Sequence, residues 1–91
     1  RVVVWGAGPV GKAFARELVA QGGALAAFVD VDPRKVGQVV HGVPVIPPHG
    51  IGRHRGALCV AAVGQPGARE EIRGALRGAG WEELEDFVAV A

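Results

Sequence analysis

The chain has very few sulfur-containing residues and lacks long apolar runs, and both absences exclude whole classes of protein. Its single cysteine, Cys59, rules out an internal disulfide framework and is typical of a reducing compartment, so we expect a cytoplasmic protein. No apolar run reaches the ~18 residues of a transmembrane helix, and no signal peptide is recognisable. We therefore expect no membrane association.

Methionine is absent even at position 1, and we interpret residues 1–91 as one domain of a larger protein. Excess charge is also lacking, because the formal net charge is only +1, so nothing indicates binding to nucleic acid or to an anionic membrane. The composition, 49% apolar and 21% charged, is that of a globular domain rather than a disordered segment.

Apolar runs alternate with amphipathic segments along the chain, which is the pattern of a parallel sheet with helices on both faces. Strands are predicted at residues 2–5, 24–30, 43–46, 57–63 and 87–90, and helices at 9–21 and 68–79. We expect a small α/β domain: an open, doubly wound, Rossmann-like parallel sheet of about five strands in the order 3-2-1-4-5.

Individual residues predict how single strands, loops and helix faces are placed in this fold. Pro44 predicts an edge position for the third strand, because proline cannot donate to a strand ladder. Residues 47–56, PPHGIGRHRG, break every periodicity and are interpreted as a loop. Residues 82–86 are interpreted as a solvated turn that carries Glu82, Glu83 and Glu85. The second helix is expected to bury one face against the sheet, made of Ala68, Ile72, Ala75, Leu76 and Ala79.

The first strand runs directly into a glycine-rich turn, in the stretch VVVWGAGPVGKA. The turn matches G-x-G-x-x-G with a strand before it and a helix after it, as a dinucleotide site requires. The first glycine permits a tight turn, the second lets the backbone approach a pyrophosphate, and the third lets the helix pack closely on the sheet. Lys12 does not fit a P-loop, whose spacing and following Ser or Thr are missing. The candidate cofactor-binding residues here are Gly6, Ala7, Gly8, Pro9, Val10 and Gly11.

The predicted strand order places a topological switch point between the first and fourth strands, where ligands bind in such sheets. A second glycine turn follows the fourth strand, so we expect Gly64 and Gln65 to meet the first turn in one crevice. Asp30 ends the second strand, where a carboxylate binds the adenosine ribose and favours NAD over NADP; Arg34 and Lys35 weaken that preference. Two alternatives stay open: Asp30 only caps the following turn, or the crevice is empty.

No catalytic or metal-binding constellation is visible in the sequence. His41, His49 and His54 have no cysteine or carboxylate at ligand spacing, so we expect no metal. Cys59 is interpreted as a buried structural thiol rather than a nucleophile. Without a Ser/His/Asp set or paired carboxylates, we expect no catalysis by this chain alone.

A resemblance covers nearly the whole chain. VVVWGAGPVGKAFARELVAQG followed by AAFVDVDPRKVGQVVHGVPVI looks like the nucleotide-binding domain of the redox-sensing repressor Rex and like CoA-binding domains. D-x-D-P-x-K-x-G followed by H-G-V-P-V is its more specific part and is similar to N-terminal domains of bacterial sugar acyltransferases. VGQPGAREEI is similar to domains appended to bacterial glycosyltransferases. The resemblance implies NAD(H) held by Gly6, Gly8, Gly11 and Asp30, or else CoA or a nucleotide-sugar at the same loop.

The leading interpretation is therefore a nucleotide-binding module, with NAD(H) as cofactor and a binding or regulatory role in a larger bacterial protein. The alternative is an accessory domain of a glycosyltransferase or another sugar-modifying enzyme that binds a nucleotide-sugar, CoA or nothing. A third is a purely structural interaction domain. The chain lacks the winged helix of Rex and a nicotinamide-binding half, so we expect neither DNA binding nor hydride transfer. The expected partner is a flanking domain of the same protein, and a homodimer is left open.

Overall fold

The apolar runs of the sequence lie side by side in one central sheet. The computed structural model describes residues 1–64 and 67–90. Its strands are β1 (Val2–Trp5), β2 (Leu25–Val29), β3 (Val39–Val40), β4 (Val43–Ile46), β5 (Leu58–Ala61) and β6 (Phe87–Ala89). Its helices are α1 (Pro9–Ala20), α2 (Ala68–Gly78) and a 3₁₀ helix (Pro48–His54).

The sheet has the order β3-β4-β2-β1-β5-β6, and every pairing except β3 with β4 is parallel. Without β3, this is the predicted order 3-2-1-4-5, so the doubly wound α/β fold is confirmed. β1 pairs with β2 on one side and β5 on the other. The chain therefore reverses its winding direction at β1, which defines the switch point between β1 and β5.

Alternating side chains of the central strand divide the core between the two faces of the sheet. Val3 and Trp5 belong to a cluster that includes Ile51 of the 3₁₀ helix and Leu76 of α2. Val4 belongs to a second cluster on the face that α1 covers. Because both faces are covered, the strands read as continuous apolar runs rather than as alternating ones.

The outermost strand on one side, β3, was not predicted. Val39 and Val40 pair antiparallel with Pro44 and Val43 through a hairpin turn at His41 and Gly42. Both turn residues have positive φ, 51° and 79°, as in the type I′ turns that suit two-residue hairpins. The prediction that the Pro44 strand lies at the edge is therefore wrong, because β3 covers it. A two-residue strand is too short to produce a periodicity.

The segment interpreted as a loop, residues 47–56, contains the 3₁₀ helix instead. It begins after Pro47, with Pro48 in its first turn, where the missing N–H of proline leaves no bond unmade. Ile51 on this helix is only 4% exposed and anchors it to the sheet. One apolar anchor in a glycine-rich and basic segment is too little to show a helical repeat.

Two expectations near the C-terminal end of the chain are only partly correct, although Glu82 and Glu85 are exposed as expected. Ala75 and Ala79 are exposed, and only Ile72 and Leu76 of α2 are buried. Glu83 is not merely solvated: one carboxylate oxygen accepts from Arg73 Nε and the other from Arg77 Nη2, each at 2.9 Å. Alanine is apolar enough to suit either environment, and the two arginines reach Glu83 only through the tertiary fold.

The remaining core assignments agree with the sequence. Trp5, Trp81 and Cys59 are all buried, and the turn expected after Asp32 spans residues 33–37. Within residues 1–64 and 67–90, no helix combines the length and the apolar character that crossing a bilayer would require.

Candidate functional site

The glycine turn begins where β1 passes between the ends of its two neighbours. The Gly6 N–H donates to the Val29 carbonyl at 2.7 Å, and the Ala62 N–H donates to the Trp5 carbonyl at 2.9 Å. Gly6 has φ +121°, and a Cβ there would lie 2.6 Å from the Ala62 carbonyl oxygen. Only glycine satisfies both the backbone conformation and the space at this position.

The third glycine of the motif, Gly11, lets α1 lie close to the turn. A Cβ on Gly11 would overlap the carbonyl oxygen of Gly6, so a side chain at this position would push the helix off the sheet. α1 starts with Pro9 and has Gly8 as its N-cap, with no side-chain cap. The first N–H groups of the helix are those of Val10 and Gly11, and neither donates a hydrogen bond to any described residue. These donors and the helix dipole favour an anion.

The second glycine, Gly8, is different from the other two because its open side faces a cleft. A Cβ there would meet no atom within 4 Å except Lys35 Nζ, at 3.6 Å. Its φ of −86° and ψ of −169° are open to any residue. No packing or backbone constraint thus requires glycine at this position, whereas the close approach of a ligand would.

Asp30 connects the end of β2 to the glycine turn. Its Oδ2 accepts the Ala7 N–H at 2.9 Å, and its Oδ1 accepts the Asp32 N–H, also at 2.9 Å. The carboxylate therefore does cap the following turn, as one of the two sequence interpretations expected, and it also holds the glycine turn. Each oxygen keeps a second lone pair, which leaves acceptor capacity for a ribose diol.

The two glycine turns meet at one cleft of about 650 Å³ at the carboxyl ends of the strands. That volume lies within the range of small-molecule and cofactor pockets, about 300–1,000 Å³. A Cβ on Gly64 would lie 3.5 Å from Val10 Cγ2, so the turn after β5 touches the start of α1. Of the two residues expected to meet the first turn, Gly64 does so, and Gln65 lies outside the described residues.

The predicted site residues divide into three groups. The cleft is lined by Gly6, Gly8, Pro9, Val10, Asp30 and Gly64. Ala7 and Gly11 are buried behind the turn, where Ala7 binds Asp30 and Gly11 packs against Gly6. Gln65 lies outside the described residues.

Sequence reasoning left out several residues that line the same cleft. Val31, 73% exposed, follows Asp30, and Pro48 of the 3₁₀ helix adds a second apolar surface. Lys35 and Glu71 add charge. Lys35 was identified only as a modifier of cofactor preference, although its turn follows β2 at the edge of the sheet where ligands bind. Glu71 stands in the first turn of α2, immediately beyond the second glycine turn.

The carboxylates of the cleft differ in how closely a positively charged side chain pairs with them. Both oxygens of Asp32 accept from Arg34, and these bonds hold the pKa of that carboxyl below its usual range and raise the pKa of the guanidinium. Lys35 Nζ lies 4.0 Å from Asp30 Oδ2. The Glu71 carboxylate has neither a hydrogen bond nor an ion pair to any residue in the described part of the chain, and the backbone N–H of Glu71 donates to the Gly67 carbonyl. The cleft therefore combines backbone N–H donors with three carboxylates, of which Asp32 is closely paired, Asp30 is more loosely paired and Glu71 is unpaired among the described residues.

Neither an activated thiol nor a cluster of metal ligands is found among the described residues. Burial raises the pKa of the Cys59 thiol to about 12, so this cysteine is not an activated nucleophile. Across residues 1–64 and 67–90, no group of three His, Cys, Asp or Glu side chains is arranged to hold a metal ion. The described part of the cleft thus combines a helix start with free backbone N–H groups and a carboxylate that has spare acceptor capacity.

The sheet order and the cleft at its switch point are those of a Rossmann-like α/β domain, and comparison with solved structures agrees on the fold. The chain superimposes on RSP, a Rex-family repressor, with a TM-score of 0.75, 20% identity, and coverage of 97% of this chain and 50% of that one. RSP has also been solved with NADH and, separately, with NAD⁺ and operator DNA. The chain thus spans about half the length of that repressor.

Two sugar-modifying enzymes share the same fold. UDP-D-quinovosamine 4-dehydrogenase from Vibrio fischeri matches with a TM-score of 0.76 and 21% identity, over 99% of this chain and 76% of that one. Perosamine N-acetyltransferase from Caulobacter crescentus, solved as an H141N mutant with CoA and GDP-perosamine, matches with a TM-score of 0.66 and 30% identity, over 90% and 40%. Neither a family model nor a curated protein sequence matches the chain.

Proposed function

We propose that this domain binds NAD(H) in the cleft at the β1–β5 switch point and serves as a binding or regulatory module of a larger bacterial protein. The observation that carries the proposal is the contrast among the three glycines of the turn. Gly6 and Gly11 are required by backbone geometry and packing, whereas Gly8 is open only toward the cleft. Such a gap beside uncapped helix N–H groups fits a pyrophosphate.

Asp30 supports a dinucleotide rather than a simple anion. Its carboxylate lies one hydrogen bond from the glycine turn and keeps lone pairs for the ribose hydroxyls. A 2′-phosphate at the same place would face this negative charge, so NAD(H) is expected to bind more tightly than NADP(H). The solved complex of the Rex-family repressor with NADH adds support from a protein of the same fold. We propose a bacterial cytoplasm as the compartment, because NAD(H) is available there.

The second candidate is an accessory domain of a glycosyltransferase or another sugar-modifying enzyme. The specific observation in its favour is the 30% identity to perosamine N-acetyltransferase, which was solved with CoA and GDP-perosamine. In that case the same turn would hold the diphosphate of a nucleotide-sugar or of CoA. Under either candidate, we expect residues 1–91 to work beside a flanking domain and to carry out no catalysis alone.

The test is a calorimetric titration of the protein with NADH, NADPH, CoA and a UDP-sugar. We expect measurable binding of NADH, with weaker binding of NADPH. Binding of CoA or the UDP-sugar without NADH would select the second candidate. No binding of any of the four would refute nucleotide binding altogether.

Asp30→Ala adds a test of the ribose contact. Losing hydrogen bonds to a charged group should weaken NADH binding by about 1–3 kcal/mol and shift the affinity ratio toward NADPH. The variant also loses the bonds to Ala7 and Asp32, so its stability should fall in any case. The affinity ratio separates the two effects, because a purely structural role would leave it unchanged.

A further inference from the structure

Lys35 is held above the glycine turn by the turn that follows β2. Its backbone N–H donates to the Asp32 carbonyl at 2.9 Å, which fixes the start of the side chain. Its Nζ lies 4.0 Å from Asp30 Oδ2 and 3.6 Å from the position that a Cβ on Gly8 would take. The side chain is 38% exposed. The ammonium group therefore lies at the open side of Gly8, across from the N-terminus of α1.

The ion pair with Asp30 leaves the hydrogen-bond donors of the Lys35 ammonium unused. Both oxygens of Asp30 already accept backbone N–H groups at 2.9 Å, and at 4.0 Å the ammonium is beyond hydrogen-bond distance. Within the described residues, Nζ donates no hydrogen bond to the protein. Its three N–H donors are available to another group in the cleft.

The charges around the cleft make Lys35 the group best placed to receive an anion. Asp30, Asp32 and Glu71 line the cleft, and among the described lining residues Lys35 is the only one with a positive charge. Arg34 neutralises Asp32 but lies outside the lining, with its side chain 88% exposed. A diphosphate entering beside these carboxylates would be repelled, and a cation a few ångströms away offsets that repulsion.

We propose that Lys35 is a ligand-binding residue whose ammonium contacts the diphosphate of the bound nucleotide above Gly8. The uncapped N–H groups of α1 approach the diphosphate from one side and Nζ approaches it from the other. The proposal rests on the proposed function only in requiring a nucleoside diphosphate, a group that NAD(H), CoA and nucleotide-sugars share. It adds a side-chain cation to a turn whose sequence motif contributes backbone donors alone.

The experiment compares Lys35→Ala with two variants that remove the same charge elsewhere. Lys12→Ala removes a cation on α1 close to the same helix end, and Arg34→Ala removes the neighbour of Lys35; neither side chain lines the cleft. Each protein is titrated with NADH, ADP, UDP and adenosine, and melting curves verify folding. Lys35→Gln keeps most of the side-chain length if the alanine variant is unstable, and Lys35→Arg restores the charge.

We expect Lys35→Ala to weaken NADH and ADP binding by about ten-fold or more, the scale of one lost charge-assisted hydrogen bond. Adenosine has no phosphate, so its affinity should change less than about two-fold. Lys12→Ala should weaken ADP no more than about three-fold, because it alters only the long-range field. Arg34→Ala should weaken ADP less than Lys35→Ala does, because it leaves the Asp32 carboxylate unpaired but removes no contact to the diphosphate. Lys35→Arg should recover most of the lost affinity.

The Lys35 proposal is overturned if Lys35→Ala affects ADP no more than Arg34→Ala does. It is also overturned if adenosine is weakened as much as ADP, since Lys35 would then act by positioning Asp30. Failure of the proposed function would give a different result, in which the wild-type protein binds ADP or UDP but not NADH. In that case, loss of ADP or UDP binding in Lys35→Ala would still support the lysine contact. If the wild-type protein binds none of the diphosphates, both proposals are wrong.

Discussion

A side chain at Gly8 should abolish ligand binding with little effect on the stability of the domain, whereas a side chain at Gly11 should lower that stability. At Gly8 the backbone is extended, and a Cβ meets only the end of the Lys35 side chain, so Gly8→Val should change the free energy of unfolding by no more than about 1 kcal/mol. The valine methyl groups would occupy the space proposed for the pyrophosphate. Losing two hydrogen bonds to a charged phosphate should weaken NADH binding by about 100-fold or more.

At Gly11 the new Cβ overlaps the Gly6 carbonyl oxygen, which is backbone and cannot rotate away. Overpacking of this kind should lower the free energy of unfolding by about 3 kcal/mol. Since a domain of this size unfolds at a cost of roughly 5–14 kcal/mol, Gly11→Ala should fold, with a Tm lower by roughly 12–24 °C.

The assays are thermal melting and calorimetric titration with NADH on the same protein preparations. Gly74→Ala is the matched control: it lies within α2, no atom lies within 4 Å of the position of its Cβ, and it does not line the cleft. It should raise the free energy of unfolding by up to about 1 kcal/mol and leave NADH affinity unchanged. Wild-type affinity in Gly8→Val, or a loss of stability there equal to that of Gly11→Ala, would refute the reasoning.

Three further predictions concern the thiol, the ion pairs and catalysis. Burial raises the pKa of Cys59 to about 12, above ~8.5 in an unfolded chain. The stability that the neutral thiol contributes is therefore complete below pH ~8.5 and is lost as the pH rises toward 12. Urea unfolding of the wild type and of Cys59→Ala at several pH values measures this loss. If the free energy of unfolding fell equally with pH in both proteins, the prediction would be wrong. Glu83→Gln should lower Tm more than Glu85→Gln because it breaks the bonds to Arg73 and Arg77, and the difference should shrink at ~1 M salt; a difference that salt leaves unchanged would speak against ion pairing. The chain alone should not consume NADH with small carbonyl substrates, and steady substrate-dependent loss of its absorbance would reveal a catalytic site.

The local features of the fold and of the turn are determined by the sequence. Apolar runs such as Val2–Trp5 are buried on both sides, so they contain no polar residue and are recognisable without a structure. The G-x-G-x-x-G turn and Asp30 are recognisable because each depends on chemistry within a few residues: backbone freedom, a helix start and the end of a strand. The strand order follows from the rules of connection between parallel strands.

Short and marginal elements could not be predicted, because their stability comes from neighbours. β3 has two residues and exists through the His41–Gly42 turn and pairing with β4. The 3₁₀ helix depends on a single buried anchor, Ile51. Ala75 has no strong preference for either environment, so only the packing of α2 on the sheet decides that it is exposed.

Contacts between distant parts of the chain were decided by the tertiary structure alone. Gly64 meets Val10, Arg73 and Arg77 share Glu83, and Lys35 lies above Gly8. Each contact depends on the twist of the sheet and on the direction in which a turn leaves it, and neither is encoded in residue type or spacing nearby. The sequence therefore specifies a glycine turn suited to an anion, and the fold decides which side chains from elsewhere surround it.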